Sequence, residues 1–467
     1  MDNSNRVEGI AKPTAKKAAA ARADGKLPLS EKICYGLGDC AANIYAVGIG
    51  GTFLTGYYTD TAGIAAAAIA TMMLVLRVFD GITDLIMGGV VDKTKSRFGK
   101  ARPWLLWTAP LMMIGMILLF MVPQNASASG KLLYAYVTYF FMSCIVYTAN
   151  NLPYNALLAR MTLNVQERAT TASVRFIMNS VVTIIINAVT PLLVVKIGFT
   201  PLAVVYGIIE MVLLLICFFG CKEHVDVDET GKANVKNVPL KKALPAVLKN
   251  KYFYLQAALF LVLYLGTVAG GTLSYYYFKS VMGNLALLSI MSFAGVPALV
   301  MNFFVPNMVA KVGKRKLMIY GSAVVAIGSI IIGLANTSVP LLLIGSIVKG
   351  IGTAPILSGI FAMTADIVDY GEWKTGIRSE GLINSCTSFG MKVGIGLGSA
   401  VGTGLLAWGG YNGQAEVQSA SALAAIKFGY GYLGAIVAVA CIVILLFMNI
   451  DKNLDRIQAD LSARHAA

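Results

Sequence analysis

Apolar segments of twenty or more residues recur along the whole of this 467-residue chain. Each is long enough, at about 1.5 Å of rise per residue, to cross roughly 30 Å of hydrocarbon as a helix. A backbone in hydrocarbon must satisfy its own hydrogen bonds, which leaves helices or a closed barrel. Barrel strands alternate apolar and polar residues over about ten positions, and no such alternation is visible. The chain reads as an all-α polytopic membrane protein. Only 13% of its residues are charged, where soluble domains carry about a quarter.

The formal charge of +15 suggests nucleic acid until the charges are located. Lys and Arg concentrate before Glu31 (Lys12, Lys16, Lys17, Arg22, Lys26) and in segments 93–102, 222–251 and 311–316. The hydrophilic breaks at 57–63, 124–131, 196–201 and 336–340 hold almost none. That alternation is the positive-inside pattern. It places both termini and the basic loops in the cytoplasm and leaves no role for nucleic acid. Seven cysteines lie scattered within or beside apolar segments and read as small packing residues. The N-terminal stretch lacks the apolar core of a cleavable signal.

Counting between the charge clusters gives twelve spans, near 34–57, 63–91, 102–122, 132–158, 170–195, 201–221, 252–278, 285–310, 317–335, 339–365, 380–408 and 424–449. The chain then divides into a flexible basic tail (1–30), a six-helix bundle (31–221), a solvated cytoplasmic linker (222–250), a second six-helix bundle (251–450) and a C-terminal tail (451–467). The loop GGVVDKTKSRFGKARPWLLW after the second span is echoed six spans later by VPNMVAKVGKRKLMIYG, again a basic, Gly-containing loop entering a helix. Parallel halves of this kind are the architecture of the major facilitator superfamily.

The second span, MMLVLRVFDGITDLIMGGVV (72–91), carries Arg77, Asp80 and Asp84. Spacings of three and four stack them on one helix face. Charges in such a segment are costly and face a bundle interior or a water path. Asp80 and Asp84 sit about 6 Å apart along the axis, close enough to repel, and a bound proton or sodium ion relieves that repulsion. Alternatively, they neutralise Arg77 or Lys392. Lys392 lies in FGMKVGIGLGSA among small residues that let helices approach; it pairs with one of the acids or snorkels to the interface.

The runs YYTDTAG (57–63), LRVFDGITDLIMGGVVDKTKSRFGKARP (76–103), NNLPYNALLA (150–159) and ADIVDYGEWKTGIRSEG (365–381) together resemble the glycoside–pentoside–hexuronide cation symporter family, whose members include the melibiose permease and the glucuronide carrier. The resemblance covers nearly all of residues 30–450. It implies a symporter with no cofactor, which couples movement of a small sugar to a co-transported H+ or Na+ in the bacterial cytoplasmic membrane. The partners expected are the sugar and membrane lipid, with the chain acting as a monomer. By position, Asp80 and Asp84 match the family's cation site, Thr148 its helix-four hydroxyl, and Lys392 the helix-eleven lysine beside those acids. Thr83 and Asn151 stand where the permease has an amide and an acid; fewer acidic oxygens favour the proton over sodium.

Asn43, Asn151 and Arg175 match sugar-binding positions, the first two being aspartates in the permease, and Asn155 replaces a tryptophan that stacks on the sugar. Amides and a guanidinium suit hydroxyl-rich ligands. A neutral glycoside and a hexuronide clamped by Arg175 both remain open. Lys349 and Glu210 are further charges deep in apolar segments, pairing with each other or with cavity groups, and Lys349 joins the candidate substrate contacts. Asp92 and Arg97 after the second span, and Asp369, Glu372 and Arg378 after the tenth, are candidates for salt bridges that close the cytoplasmic side between halves.

Other classes fare poorly. An intramembrane enzyme lacks a catalytic constellation, the only histidines being His224 and His465. A channel would more often show a repeated filter, and no GxxxxGK[ST] loop supports ATP-driven transport. A lysophospholipid symporter of the same family is the nearer alternative.

Overall fold

The computed structural model of the chain describes residues 26–162, 164–224 and 240–466. The expected tail up to residue 25 and linker residues 225–239 lie outside the described residues. What is described is helical throughout, with no strand.

The first helix, α1, runs without a break through Leu29–Asn43, Ile44–Phe53, Leu54–Gly56 and Tyr57–Thr61. It is followed by α2 (Ala66–Lys93), α3 (Arg102–Leu119), α4 (Ala128–Met161), α5 (Val165–Ile197) and α6 (Phe199–Gly220). A short helix, α7 (Leu240–Leu248), leads to α8 (Lys251–Val281), α9 (Leu287–Val312), α10 (Lys314–Leu334), α11 (Val339–Thr375), α12 (Glu380–Gly409) and α13, which runs through Ala420–Lys427, Phe428–Tyr432 and Leu433–Phe447. Helix α14 (Leu454–Ala466) closes the chain. Among the described residues eleven helices are long and apolar enough to cross a membrane. Helix α1 makes the twelfth of comparable length, its apolarity diluted by the glycines, threonines and tyrosines of IYAVGIGGTFLTGYYT.

Two expectations need correcting, the solvated linker and the end of the tenth span, and the C-terminal tail takes on structure. The end of the linker is no solvated coil: in LKKALPAVL the spacing of apolar residues makes an amphipathic helix, α7, which buries Ala246 and Val247 against the second bundle. Helix α11 does not stop near 365 but continues to Thr375, because nothing in ADIVDYGEWKT breaks a helix before Gly376, whose φ of 70° caps it. The C-terminal tail is a helix held to α11: the Trp373 indole donates to Asp460 at 2.8 Å, and Ile457 and Leu461 are buried.

The two halves repeat one construction. In the first, Gly99 (φ 106°) turns the chain into α3, and the Glu223 carboxylate beyond α6 accepts the amides of Lys100, Ala101 and Arg102 at 2.8–3.1 Å. The Arg102 guanidinium donates back to the Phe218 carbonyl at 2.7 Å. In the second, Gly313 (φ 87°) leads into α10, Asp451 beyond α13 accepts the Arg315 amide at 3.3 Å, and Arg315 donates to the Leu445 and Leu446 carbonyls at 2.7 Å. A carboxylate satisfies orphan amides at a helix start while an arginine satisfies orphan carbonyls at another helix end.

The halves meet through α2 against α12, α5 against α9 and α1 against α8. At the end carrying Asp60 they share one buried cluster, in which Tyr57 and Tyr58 join Tyr275, Tyr276, Tyr277, Tyr411 and Ile426. Towards the opposite end the second half has a separate core around Leu259, Phe260, Ile360 and Met363.

Candidate functional site

Asp80 and Asp84 lie one turn apart on α2 and share Thr148 of α4, whose hydroxyl is 3.3 Å from Asp80 Oδ1 and 3.4 Å from Asp84 Oδ1. One hydroxyl proton serves one acid at a time. Each acid also has its own cation. Arg77 Nη1 reaches Asp80 Oδ2 at 3.2 Å, and Lys392 forms an ion pair with Asp84. The order Arg77, Asp80, Thr148, Asp84, Lys392 is a charge-neutral row crossing from α2 through α4 to α12. The acids therefore do not stand bare here. The two acids thus meet at Thr148, with Arg77 against Asp80 and Lys392 against Asp84.

Glycines set this geometry. Gly390, Gly394 and Gly398 bring α12 against the backbone of α8, where an added Cβ would lie 2.5–2.8 Å from the carbonyls of Ala257, Leu261 and Leu265. Gly396, on another face, leaves room for the Arg77 side chain, whose Cγ would lie 2.8 Å from an added Cβ. The position of Thr148 at the middle of the row is set by a wide turn. The π-helical segment Phe140–Tyr147 immediately precedes Thr148, and another, Ile44–Phe53, immediately follows Asn43. Such segments are frequent at functional sites.

A second constellation lies on α1, α4 and α5. Asn155 donates to the Asn151 side chain at 2.9 Å, Arg175 Nη1 donates to Asn155 Oδ1 at 3.1 Å, and Arg175 Nε pairs with Asp39 at 3.1 Å. Asn179 donates to the same Asp39 carboxylate. Arg175 lies over the rings of Tyr154 and Tyr35, 5.3 and 6.0 Å from their centroids, and those rings are stacked at 4.7 Å. Asn43 sits one turn along α1 from Asp39 and donates to its backbone carbonyl at 3.0 Å. Asn43, Asn151, Asn155 and Arg175 are thus gathered as expected. Asp39, Tyr35, Tyr154 and Asn179 were missed. Asp39 carried the same signal as Asp80, an acid inside an apolar span, and its presence alters the reading of Arg175, whose charge already has a partner.

Lys349 is not part of this group. Its Nζ packs towards α8 and α13 within the second half, 4.0 and 3.4 Å from Cβ positions built on Gly270 and Gly434. The expected pairing of Lys349 with Glu210 is not formed; Glu210 is fully buried on α6 with neither oxygen hydrogen-bonded among the described residues.

The salt bridges between halves, expected for the outward-open state, are not formed among the described side chains of Arg97, Asp369, Glu372 and Arg378 in this conformation. Arg378 bonds Asp369 at 3.1 Å and Glu372 at 2.8 Å, all within the second half, because continued helix α11 presents both acids to the turn into α12. The Glu372 bond, ahead of Asp369, raises the Arg378 pKa. Arg97 lies over the Phe98 ring at 4.7 Å, and the side chain of Asp92 lies outside the described residues. Each ion pair described at this end joins residues of one half, as in Lys32 with Glu167 and Lys314 with Asp366.

The halves are instead tied at the other end, through Asp60. Its carboxylate accepts the phenols of Tyr275 at 3.1 Å and Tyr411 at 3.0 Å and pairs with Lys279, and its backbone carbonyl accepts Gln414 at 2.8 Å. All four partners belong to the second half. Burial and then the charge of Asp60 push the Tyr411 phenol above its ordinary pKa, so it stays a donor. The Asp60 of YYTDTAG carried no such signal in the sequence, since its partners are contributed by α8 and the loop after α12.

A family profile described as MFS/sugar transport protein matches residues 34–452. The chain is 33% identical over 451 residues to the isoprimeverose transporter of Lactiplantibacillus pentosus, covering 94% of this chain and 92% of that one. It is 31% identical over 449 residues to the glucuronide carrier protein homolog of Escherichia coli (strain K12), covering 92% and 94%. The crystal structure of a D-xylose-proton symporter superposes with a TM-score of 0.63 at 13% identity, covering 88% of this chain and 96% of that one, and so shares the fold.

Proposed function

Because the chain belongs to the MFS/sugar transport protein family, we propose that it is a cation-coupled sugar symporter that works by alternating access, with Asp84 as the group at which the coupling ion exchanges with Lys392. The single observation behind this assignment is the neutral row of two acids and two cations with Thr148 at its middle. Arg77 is three residues from Asp80 on the same helix and moves with it, so Asp80 keeps its charge. Lys392 comes from the other half, so its bond to Asp84 changes when the halves rock. A proton on Asp84 neutralises that carboxylate and releases Lys392. A sodium ion would instead need several oxygens, of which this site offers two carboxylates and one hydroxyl; the reading favours the proton.

Asp60 ties the halves at its end, and the ion pairs described at the opposite end each stay within one half. With the basic loops facing the cytoplasm, Asp60 marks the outer side and the carrier is read as inward-facing in the bacterial inner membrane, both termini inside. The Asn151, Asn155, Arg175 and Asp39 set, joined by Asn43, is the proposed sugar site. Asp39 adds an acid to a group that otherwise holds amides and one guanidinium, and it already balances Arg175. A sugar carboxylate would have to sit against that acid, whereas neutral hydroxyls can accept from Arg175 and donate to Asp39. A neutral glycoside or pentoside is therefore favoured over a hexuronide, and Lys349, facing elsewhere, is a weaker candidate contact.

The test is to offer uronides, pentosides, hexosides and a lysophospholipid to vesicles containing the purified protein while recording proton and sodium flux. A neutral glycoside should evoke proton entry. Ion-independent sugar movement, or flux evoked by the lipid alone, would overturn the reading.

A further inference from the structure

Glu210 takes no part in the ion row or the polar cleft. It lies midway along α6 (Phe199–Gly220), has no exposed surface, and neither Oε1 nor Oε2 meets a donor among the described residues. An ionised carboxylate there would have neither water nor a counter-charge, the costliest state for such a group. The buried arginines of this half, Arg77 and Arg175, are paired with Asp80 and with Asp39 and Asn155.

Helix α6 packs on α3, α1 and α5. Met113 of α3 packs beside Gly207, one turn before Glu210. Helix α1 contributes Cys34, which packs against Gly220 of α6, Asp39, held by Arg175 and Asn179, and Tyr45, whose ring lies 5.3 Å from that of Tyr147. From α5 comes Thr190, bonded to the Tyr206 hydroxyl of α6 at 2.8 Å. Helix α4 contributes Tyr147, which is within electrostatic reach of Glu210 and also of Asp39, Arg77 and Asp80.

We propose that Glu210 is a proton-binding site separate from the Asp80 and Asp84 pair, occupied in this conformation by a proton that keeps its carboxyl neutral. Loss of the proton leaves a carboxylate within electrostatic reach of Tyr147, the phenol that immediately precedes Thr148. The proton leaves only when water or a cation reaches the middle of α6, so the site reports on the state of the first bundle.

The test is infrared spectroscopy of the purified full chain in lipid, which needs no knowledge of the solute carried. Subtracting the Glu210→Gln spectrum from that of the unaltered protein should leave the carbonyl band of a neutral carboxylic acid, and Glu210→Asp should shift that band rather than remove it. A difference spectrum showing carboxylate bands and no acid carbonyl would overturn the proposal. If Glu210→Gln fails to fold, the Glu210→Asp comparison decides alone: a shifted acid carbonyl supports the site and a shifted carboxylate band refutes it.

Discussion

Replacing Asp60 by Asn keeps the shape of the side chain and removes the charge that three groups of the other half converge on. Two of the bonds come from phenols with little exposure, Tyr275 at 2% and Tyr411 at 9%. Exchanging a charged acceptor for a neutral one costs about 1 kcal/mol for each. The Lys279 side chain is 40% exposed, so its ion pair adds only about 0.5 kcal/mol after solvent screening. The bond from Gln414 goes to the backbone carbonyl and survives. Together the loss is about 2.5 kcal/mol, and at 1.4 kcal/mol per tenfold it moves the equilibrium roughly 50- to 100-fold towards the conformation open at the Asp60 end. Spin labels at exposed Ser129 and Val417, one in each half at that end, in a background with the native cysteines replaced, read the shift as growth of a longer-distance population. An unchanged distance distribution in Asp60→Asn would refute the idea that this cluster holds the halves together.

The same labels test the pH dependence. Burial and Asp60 raise the Tyr411 pKa above that of an ordinary phenol, about 10, so its donated bond is present below pH 10 and lost only above the raised value. The distance distribution should be the same at pH 7 and near pH 10, where an exposed phenol is half ionised; opening at that pH would contradict it. Asp84→Asn should abolish uphill sugar accumulation while leaving membrane insertion intact, and retained accumulation would remove Asp84 from the coupling scheme. Arg175→Ala and Asp39→Asn should each weaken sugar binding by about 1 to 3 kcal/mol, the loss expected when one partner of a charge-assisted bond is removed; the double substitution should cost less than the two singles combined, and strict additivity in binding titrations would separate them. Gly99→Ala places a methyl 2.4–2.6 Å from the Glu223 carboxyl at a φ of 106° and should lower thermal stability by about 1 to 3 kcal/mol, whereas Gly88→Ala, which meets nothing within 4 Å, should be harmless by the same melting assay.

The spans were legible because hydrocarbon length and charge placement are properties of single segments. Helix ends were less so: α11 runs ten residues past the expected 365 because polar DIVDYGEWKT ended the apolar count without ending the helix. Asp80, Asp84, Thr148 and Lys392 could be named in advance, three of them being charges in apolar runs. Asp39 bore that same mark and was passed over. The Asp60 cluster was out of reach of any local reading, since its partners lie 215 and 351 positions away. The wide turns beside Asn43 and Thr148 have no sequence signature that distinguishes them from ordinary helix.

The paired brackets at the base of the two bundles, Glu223 with Arg102 and Asp451 with Arg315, bear on how the protein moves. Each pins the start of a bundle's third helix to the finish of its sixth, and neither crosses to the opposite bundle. A swing of one bundle over the other can leave both brackets undisturbed while every bond at Asp60 is surrendered. Probes spanning a bracket thus serve as fixed rulers against which the hinge-like travel of the rest can be gauged.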